Sequence, residues 1–354
     1  MASPGRRRVA AIDCGTNSLR LLIADIDTAR GELADLHRRM EIVRLGEGVD
    51  ATGQLAPQAL ARTFAMLEEY ARTIADSGAT AVRLVATSAT RDASNAAEFA
   101  AGVTRILGVP PEVISGDEEA YLSFSGATAE LSQLAGPGGQ DQSAEADGSA
   151  GAKHPPEPPF LVVDIGGGST EFVFGPGSAG RDAGRTGGGP AGHGLSAMSV
   201  NVGCVRLTER HLRSDPPGGQ QIAAAAADID AALGQVAAAM PAASARTLVG
   251  LAGSVTTLTG VALNLPGYDS ARIHHARIPA ARVHEVTMAL LSQNHAERAR
   301  NGAIHPGRVD VIGAGALILD RIMSQFGFAE LVASEHDILD GIAWSIVTGP
   351  SRLR

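Results

Sequence analysis

The chain has 354 residues, 44% of them hydrophobic and 19% charged, enough for two domains with sizeable cores. A formal charge of −9 and an aromatic content of 3% exclude the basic surface and stacking platforms of a nucleic-acid binder. Lys153 is the only lysine among 29 basic residues, so P-loop, Schiff-base and kinase-strand lysine chemistry is excluded everywhere else.

In chain order, residues 9–12 and 19–26 read as strands around a tight turn. Residues 58–77 carry helical periodicity behind Pro57, a good first helical residue. A buried strand is expected at 82–86, and helices at 95–107 and 117–129. Gly/Pro/Ser-rich text at 136–159 has no periodicity and is expected to be a disordered excursion. A second strand–turn–strand follows at 160–163 and 171–174, and then a glycine-rich turn at 175–194. That turn holds a formal GxGxxG at 187–192, but with no strand before it and no helix after it the match predicts no dinucleotide site. An alanine-rich helix at 222–240 leads to a strand at 248–251, which opens onto the small-residue turn Ala252-Gly253-Ser254-Val255-Thr256-Thr257. Helices at 310–326 and 337–347 flank a strand at 331–333, and strands mixed with helices throughout imply an α/β class.

Cys14 and Cys204 are too few for a disulfide framework or a four-cysteine zinc site, and the histidines show no metal spacing. The few apolar residues after Arg6 to Arg8 make no signal peptide, and no apolar run reaches the ~18 residues of a membrane span. A cytoplasmic protein with no nucleic-acid or membrane partner is the expectation.

An internal repeat runs through this pattern. Residues 9–18 overlay residues 160–169: a strand ending in Asp, Gly two positions on, Ser five positions on, then another strand. Duplicated halves of this kind predict two similar domains facing each other across a cleft. Backbone N–H groups at such Gly/hydroxyl turns bind phosphate oxygens, and a strand-end Asp holds a divalent cation directly or through water. Two loops face to face can clamp a phosphate chain and its cation.

Asp13-Cys14-Gly15-Thr16-Asn17-Ser18 and Asp164-Ile165-Gly166-Gly167-Gly168-Ser169-Thr170-Glu171 resemble the two phosphate motifs of the exopolyphosphatase/guanosine pentaphosphate phosphohydrolase (Ppx/GppA) family. Residues 86–95, 114–120, 203–209 and 250–258 match further motifs in order, so the resemblance extends from Val9 to about Val347. Cys14 and Thr16 depart from the family's usual aliphatic residue and Ser. The resemblance implies the actin/sugar-kinase/heat-shock ATPase superfamily fold: two ribonuclease-H-like domains facing a cleft. The expected domains are 1–122, with the C-terminal helix 337–354 packing back on it, and 123–336, carrying the inserts 136–159 and 175–194. It implies a Mg²⁺-dependent hydrolase that removes the terminal phosphate from polyphosphate or pppGpp, and it is compatible with a homodimer. Carried over by motif, Glu119 is the catalytic base, and Asp164, Glu171 and Asp13 are the metal-side carboxylates. Arg91 and the loops Gly15, Thr16, Asn17, Ser18 and Gly166, Gly167, Gly168, Ser169 bind phosphate.

The chemistry agrees. In-line hydrolysis of a phosphoanhydride needs a placed water, a base, and positive charge on the equatorial oxygens. Glu118 and Glu119 lie roughly 100° apart on a helix, so only one of them faces the cleft. Arg20, Arg44 and Arg206 are each read either as phosphate contacts or as partners of surface acids. Two other classes share these loops: a small-molecule kinase of the same fold, in which Glu119 has no counterpart, and a non-hydrolytic sensor of polyphosphate or guanosine tetraphosphate.

Overall fold

A computed structural model describes residues 6–134, 156–176 and 195–349. Most of the two expected inserts, including the GxGxxG match, therefore lies outside the described residues.

Two sheets carry the molecule. The first has order β3-β2-β1-β4-β5, with β1 Arg6–Cys14, β2 Ser18–Asp27, β3 Glu32–Ile42, β4 Ala81–Ala86 and β5 Glu112–Val113. The second has order β10-β11-β9-β6-β7-β8, with β6 Phe160–Ile165, β7 Thr170–Gly175, β8 Ser196–Val200, β9 Thr247–Leu251, β10 Arg277–Pro279 and β11 Glu330–Ala333. In the first sheet β1, β2 and β3 are antiparallel and β4 joins β1 in parallel. In the second β6, β7 and β8 are antiparallel and β9 joins β6 in parallel. The sequence repeat is thus a repeat of topology. Its register is also kept: Asp13 pairs with Arg20 across β1/β2, and Asp164 pairs with Glu171 across β6/β7.

Side-chain alternation decides what reaches the site. Along β1, Ala10, Ile12 and Cys14 enter one apolar cluster with Leu67, Tyr70 and Phe99, while Val9 and Ala11 enter another with Ile338, Leu339 and Ile342. Asp13 continues the second set, and Arg20 shares that face with Leu22 and Ala24 on β2. Both therefore point towards the C-terminal helix Ile338–Thr348. In the second sheet Val162 on β6 and Val173 on β7 pack with Ala120, Phe124 and Ala127 of the helix Gly116–Leu134. Asp164 and Glu171, two residues along each strand, point at that helix.

The two helices cross in close contact. A Cβ at Gly126 would overlap the Asp337 carbonyl, and one at Gly341 would overlap the Leu122 carbonyl. Only glycine at these positions lets the backbones approach so closely, and the crossing sets Asp337 and Glu119 beside the ends of β1 and β6.

Several elements differ from the sequence expectation. β3 is an 11-residue edge strand, where charged text such as Asp35, Arg38, Arg39 and Glu41 gives no apolar alternation. The expected turn after β9 is a helix, Ala252–Ala262, whose Val255, Leu258 and Thr259 are buried. Helices Cys204–Arg210 and Ala280–Ser292 were not anticipated. By length and composition one described helix, Gly219–Ala239, is apolar enough to cross a membrane. Its Ile229, Leu233 and Val236 lie in the core of the second sheet's domain, while Asp228 pairs with Arg210 and Asp230 with Arg321.

Candidate active site

Both phosphate loops close in the same way. Gly15 N–H donates to Ser18 O at 3.0 Å, and Gly166 N–H donates to Ser169 O at 3.0 Å. In both, the middle carbonyls are drawn outward. Thr16 O accepts from Gly46 N–H, and Asn17 O from the N–H groups of Val43 and Arg44. In the second loop Gly166 O accepts from Cys204 N–H, Gly167 O from Val205 and Arg206 N–H, and Gly168 O from Arg206 Nε at 2.8 Å. A trans peptide holds C=O and N–H antiparallel. Fixing these carbonyls therefore turns the N–H groups of Asn17, Ser18, Gly167, Gly168 and Ser169 the other way, making facing anion nests. Gly203 must lack a Cβ because one would strike the Gly167 carbonyl.

The loops border a cleft cavity of about 70 Å³. Of the sequence-derived candidates, Asp13, Gly15, Thr16, Asn17, Ser18, Glu119, Asp164, Gly166, Gly167 and Ser169 line it. Gly168, Glu171 and Arg91 do not. Gly168 packs on the side chains of Thr16 and Ser88. Glu171 is buried, accepting from Ser199 Oγ at 2.7 Å. Arg91 donates to Ile114 O at 2.9 Å and to Glu119 Oε2 at 3.2 Å, so it steadies the carboxylate from behind.

Glu119 is buried, whereas Glu118 turns out to Arg83 at 3.1 Å. Ser123, one helical turn on from Glu119, donates to Asp164 Oδ2 at 2.8 Å. Arg20, the repeat partner of Glu171, binds Asp13 Oδ2 through Nε at 2.8 Å and also binds Asp337, so it lines the cavity as part of an acid–guanidinium chain. Neither Arg44 nor Arg206 lines the cavity: Arg44 pairs with Asp310, and Arg206 with Asp50 and Asp92.

Sequence reasoning missed Arg308. It follows Pro306 in a short turn, lines the cavity, and donates to Thr257 Oγ1 at 3.2 Å. Its head lies where a Cβ of Gly253 would be, so Gly253 in the third small-residue segment marks where a side chain from elsewhere enters. Burial pulls the Arg308 pKa down, and no carboxylate among the described residues forms an ion pair with it. It is a cation available to an anion in the cavity.

Burial pushes the carboxyl pKa values of Asp13, Glu119, Asp164 and Glu171 upward. Neighbouring carboxylates add to this: Glu171 for Glu119, Asp337 for Asp164, and Asp164 for Glu171. Arg20 opposes the shift at Asp13. Asp337 adds a further carboxyl beside Asp13 and Asp164, bound by Arg20. Carboxyls that raise one another's pKa in this way are relieved by a cation among them. Asp13 Oδ1 is buried with no hydrogen-bond partner, an oxygen left over for such a cation or its water. Among the described residues no three His, Cys, Asp or Glu side chains converge into a protein-only cage. Mg²⁺ needs none: it keeps waters and takes one or two carboxylates plus phosphate oxygens. The donor set fits that mode.

Comparison with known proteins places the chain's fold and family. The chain is 45% identical over 350 residues to Exopolyphosphatase 2 of Mycobacterium tuberculosis, covering 96% of this chain and 98% of that protein. A crystal structure described as an exopolyphosphatase-like protein superposes with a TM-score of 0.81 at 39% identity, covering 96% of this chain and 98% of the other. The Aquifex aeolicus Ppx/GppA family member gives a TM-score of 0.73 at 29% identity, covering 97% and 98%. The two repeated sheets are those of the actin-like superfamily fold. The model of the Ppx/GppA phosphatase family matches residues 22–138 and 141–348, and the chain belongs to that family.

Proposed function

We propose that this protein is a Mg²⁺-dependent exopolyphosphatase that hydrolyses the terminal phosphoanhydride of inorganic polyphosphate. On this reading pppGpp, which ends in the same linkage, is a second substrate. The observation that carries the reading is the pair of carbonyl-fixed N–H loops facing one cavity, with the buried carboxylate of Glu119 on its wall. Membership of the family and the name of the mycobacterial relative support the substrate class.

The steps follow from named groups. The N–H groups of Asn17, Ser18, Gly167 and Ser169 cradle the terminal and penultimate phosphates. Arg308 supplies a guanidinium fork to their oxygens, which accept such a fork bidentately. Asp13 and Asp164 would hold Mg²⁺, with Glu171 behind the second loop. The cation would neutralise charge on the reacting phosphoryl group. Glu119, steadied by Arg91, accepts a proton from the attacking water as the water's oxygen bonds to phosphorus in line; the bond from phosphorus to the bridging oxygen breaks, and the shortened chain leaves as the phosphate anion while orthophosphate is released. Preorganised donors aimed at developing charge need no rearrangement at the moment of reaction.

Orthophosphate release from tripolyphosphate, longer polyphosphate and pppGpp, with ATP and small acceptors as controls, tests the reading. Release that depends on Mg²⁺ and Glu119 supports it. Phosphoryl transfer to an acceptor would support a kinase, and tight binding without turnover a sensor.

A further inference from the structure

Arg206 does not line the cavity, yet its side chain is hydrogen-bonded to both halves of the site. Its Nε donates to Gly168 O at 2.8 Å, its NH1 to Asp50 Oδ1 at 2.8 Å and its NH2 to Asp92 Oδ2 at 2.6 Å. The first bond is within the second domain; the other two cross the cleft. We propose that Arg206 is a positioning residue that sets the N–H of Ser169 on the substrate phosphate and locks it in register with the first domain.

The argument starts from peptide geometry. Gly166 O and Gly167 O are fixed by backbone N–H groups at the start of the Cys204–Arg210 helix, but Gly168 O is fixed by a side chain. Gly168 accepts this bond in a loop of three successive glycines, which has the least intrinsic preference for any one peptide orientation. Without the Arg206 bond the Gly168–Ser169 peptide is free to rotate, and the Ser169 N–H leaves the nest. In the first loop the equivalent carbonyl, Asn17 O, is held by two backbone N–H groups, so only the second loop depends on a side chain here.

The two carboxylates are well placed to couple the domains. Asp92 ends the helix Ser88–Asp92. That helix carries Arg91, which holds Glu119, and Ser88, which bonds Thr16 of the first loop at 2.9 Å. Asp50 sits just beyond the Gly46 N–H that fixes Thr16 O. Arg210 also binds Asp50 at 2.9 Å, and Glu209 accepts from Gly48 N–H at 3.0 Å, so the one short helix grips the first domain at adjacent points. The planar fork of Arg206 reaches three acceptors in different directions at once, which a lysine ammonium on a flexible stem cannot match in geometry.

The inference rests on the phosphate-binding reading of the loops and is tested apart from hydrolysis. Binding of the non-hydrolysed analogue imidodiphosphate, in the presence of Mg²⁺, is measured for wild type, Arg206→Gln, Arg206→Lys, Asp92→Asn and the Arg206→Gln/Asp92→Asn pair, alongside melting temperature. The expected result is a loss of affinity of roughly tenfold or more for Arg206→Gln. Arg206→Lys gives no rescue, and Asp92→Asn a smaller loss that is absent when Arg206 is already Gln. In tripolyphosphate hydrolysis the same variants raise KM more than they lower kcat. Unchanged affinity in Arg206→Gln, recovery in Arg206→Lys, or additive losses in the pair would overturn the proposal. If Arg206→Gln does not fold, Arg206→Lys takes its place: lost affinity there, with no further loss on adding Asp92→Asn, supports the proposal, and unchanged affinity or additive losses overturn it. A wild type that binds imidodiphosphate but never releases phosphate would refute the proposed function and leave this comparison intact.

Discussion

Replacing Glu119 with Gln keeps the side chain's size and its capacity to accept from Arg91, and removes only the ability to take a proton. General-base catalysis contributes ~10²–10⁴-fold, so kcat for phosphate release is expected to fall by that factor, equivalent to roughly 3–5 kcal/mol of barrier. KM is expected to stay within a fewfold, because the N–H loops and Arg308 are untouched. The stability effect has the opposite sign. Burial raises the Glu119 pKa above its unfolded value, so near neutral pH the ionised form weighs against folding. A neutral amide relieves that cost, and Glu119→Gln should melt no lower than wild type. Glu118→Gln is the control. Glu118 is 31% exposed and shares Arg83 with Glu112, which remains at 2.7 Å. Such surface pairs are worth ~0–1 kcal/mol, so activity should stay within a fewfold and the melting point should scarcely move. The assay is steady-state orthophosphate release with saturating Mg²⁺, paired with thermal melts. Loss of activity in Glu118→Gln with tolerance in Glu119→Gln would refute the placement of the helix. Loss of activity in Glu119→Gln with a collapse of the melting point would refute the assignment of a base.

Asp164→Asn keeps the Ser123 bond but loses charge beside the cavity, so the Mg²⁺ concentration for half-maximal activity should rise; an unchanged metal titration would place the cation elsewhere. Arg308→Gln should raise KM roughly tenfold without lowering the melting point, since the guanidinium is desolvated and bonds only Thr257 among the described hydrogen bonds. Equal KM would remove it from phosphate binding. Gly341→Ala drives a Cβ into the Leu122 carbonyl, an overlap costing ~1–3 kcal/mol or more, so the melting point should fall by several degrees. A melt equal to wild type would show that the helix crossing tolerates separation.

Much of the site was legible because the chemistry is written in contiguous text. The strand-Asp-Gly-Ser repeat placed both loops, and the 100° offset between Glu118 and Glu119 allowed only one of them to enter the cleft. What escaped lies in long-range geometry. Arg308 is announced by no motif; it enters the cavity because Gly253, 55 residues earlier, leaves room for it. The repeat, extended by two residues, sets Arg20 against Glu171, one position holding opposite charges; the structure adds that each pairs across its hairpin with the strand-end Asp. In sequence Arg206 reads either as a phosphate contact or as a partner of surface acids, with phosphate slightly favoured; the structure shows it bound to Asp50 and Asp92. β3 was missed because an edge strand keeps charge on both faces, and the Ala252–Ala262 helix because its Gly, Ser and Thr opening reads as a turn.

The central claim is that the facing loops, Glu119 and a divalent cation together hydrolyse a terminal phosphoanhydride. Its most direct test is orthophosphate release from a polyphosphate of defined length by wild type and Glu119→Gln, with Mg²⁺ present and after its removal by chelation. The account predicts one phosphate at a time from the chain end for wild type with Mg²⁺. It predicts at least a hundredfold less for Glu119→Gln, and none for wild type without the metal until Mg²⁺ is restored. Equal release by the two proteins, or release by the wild type that persists after chelation, would contradict it.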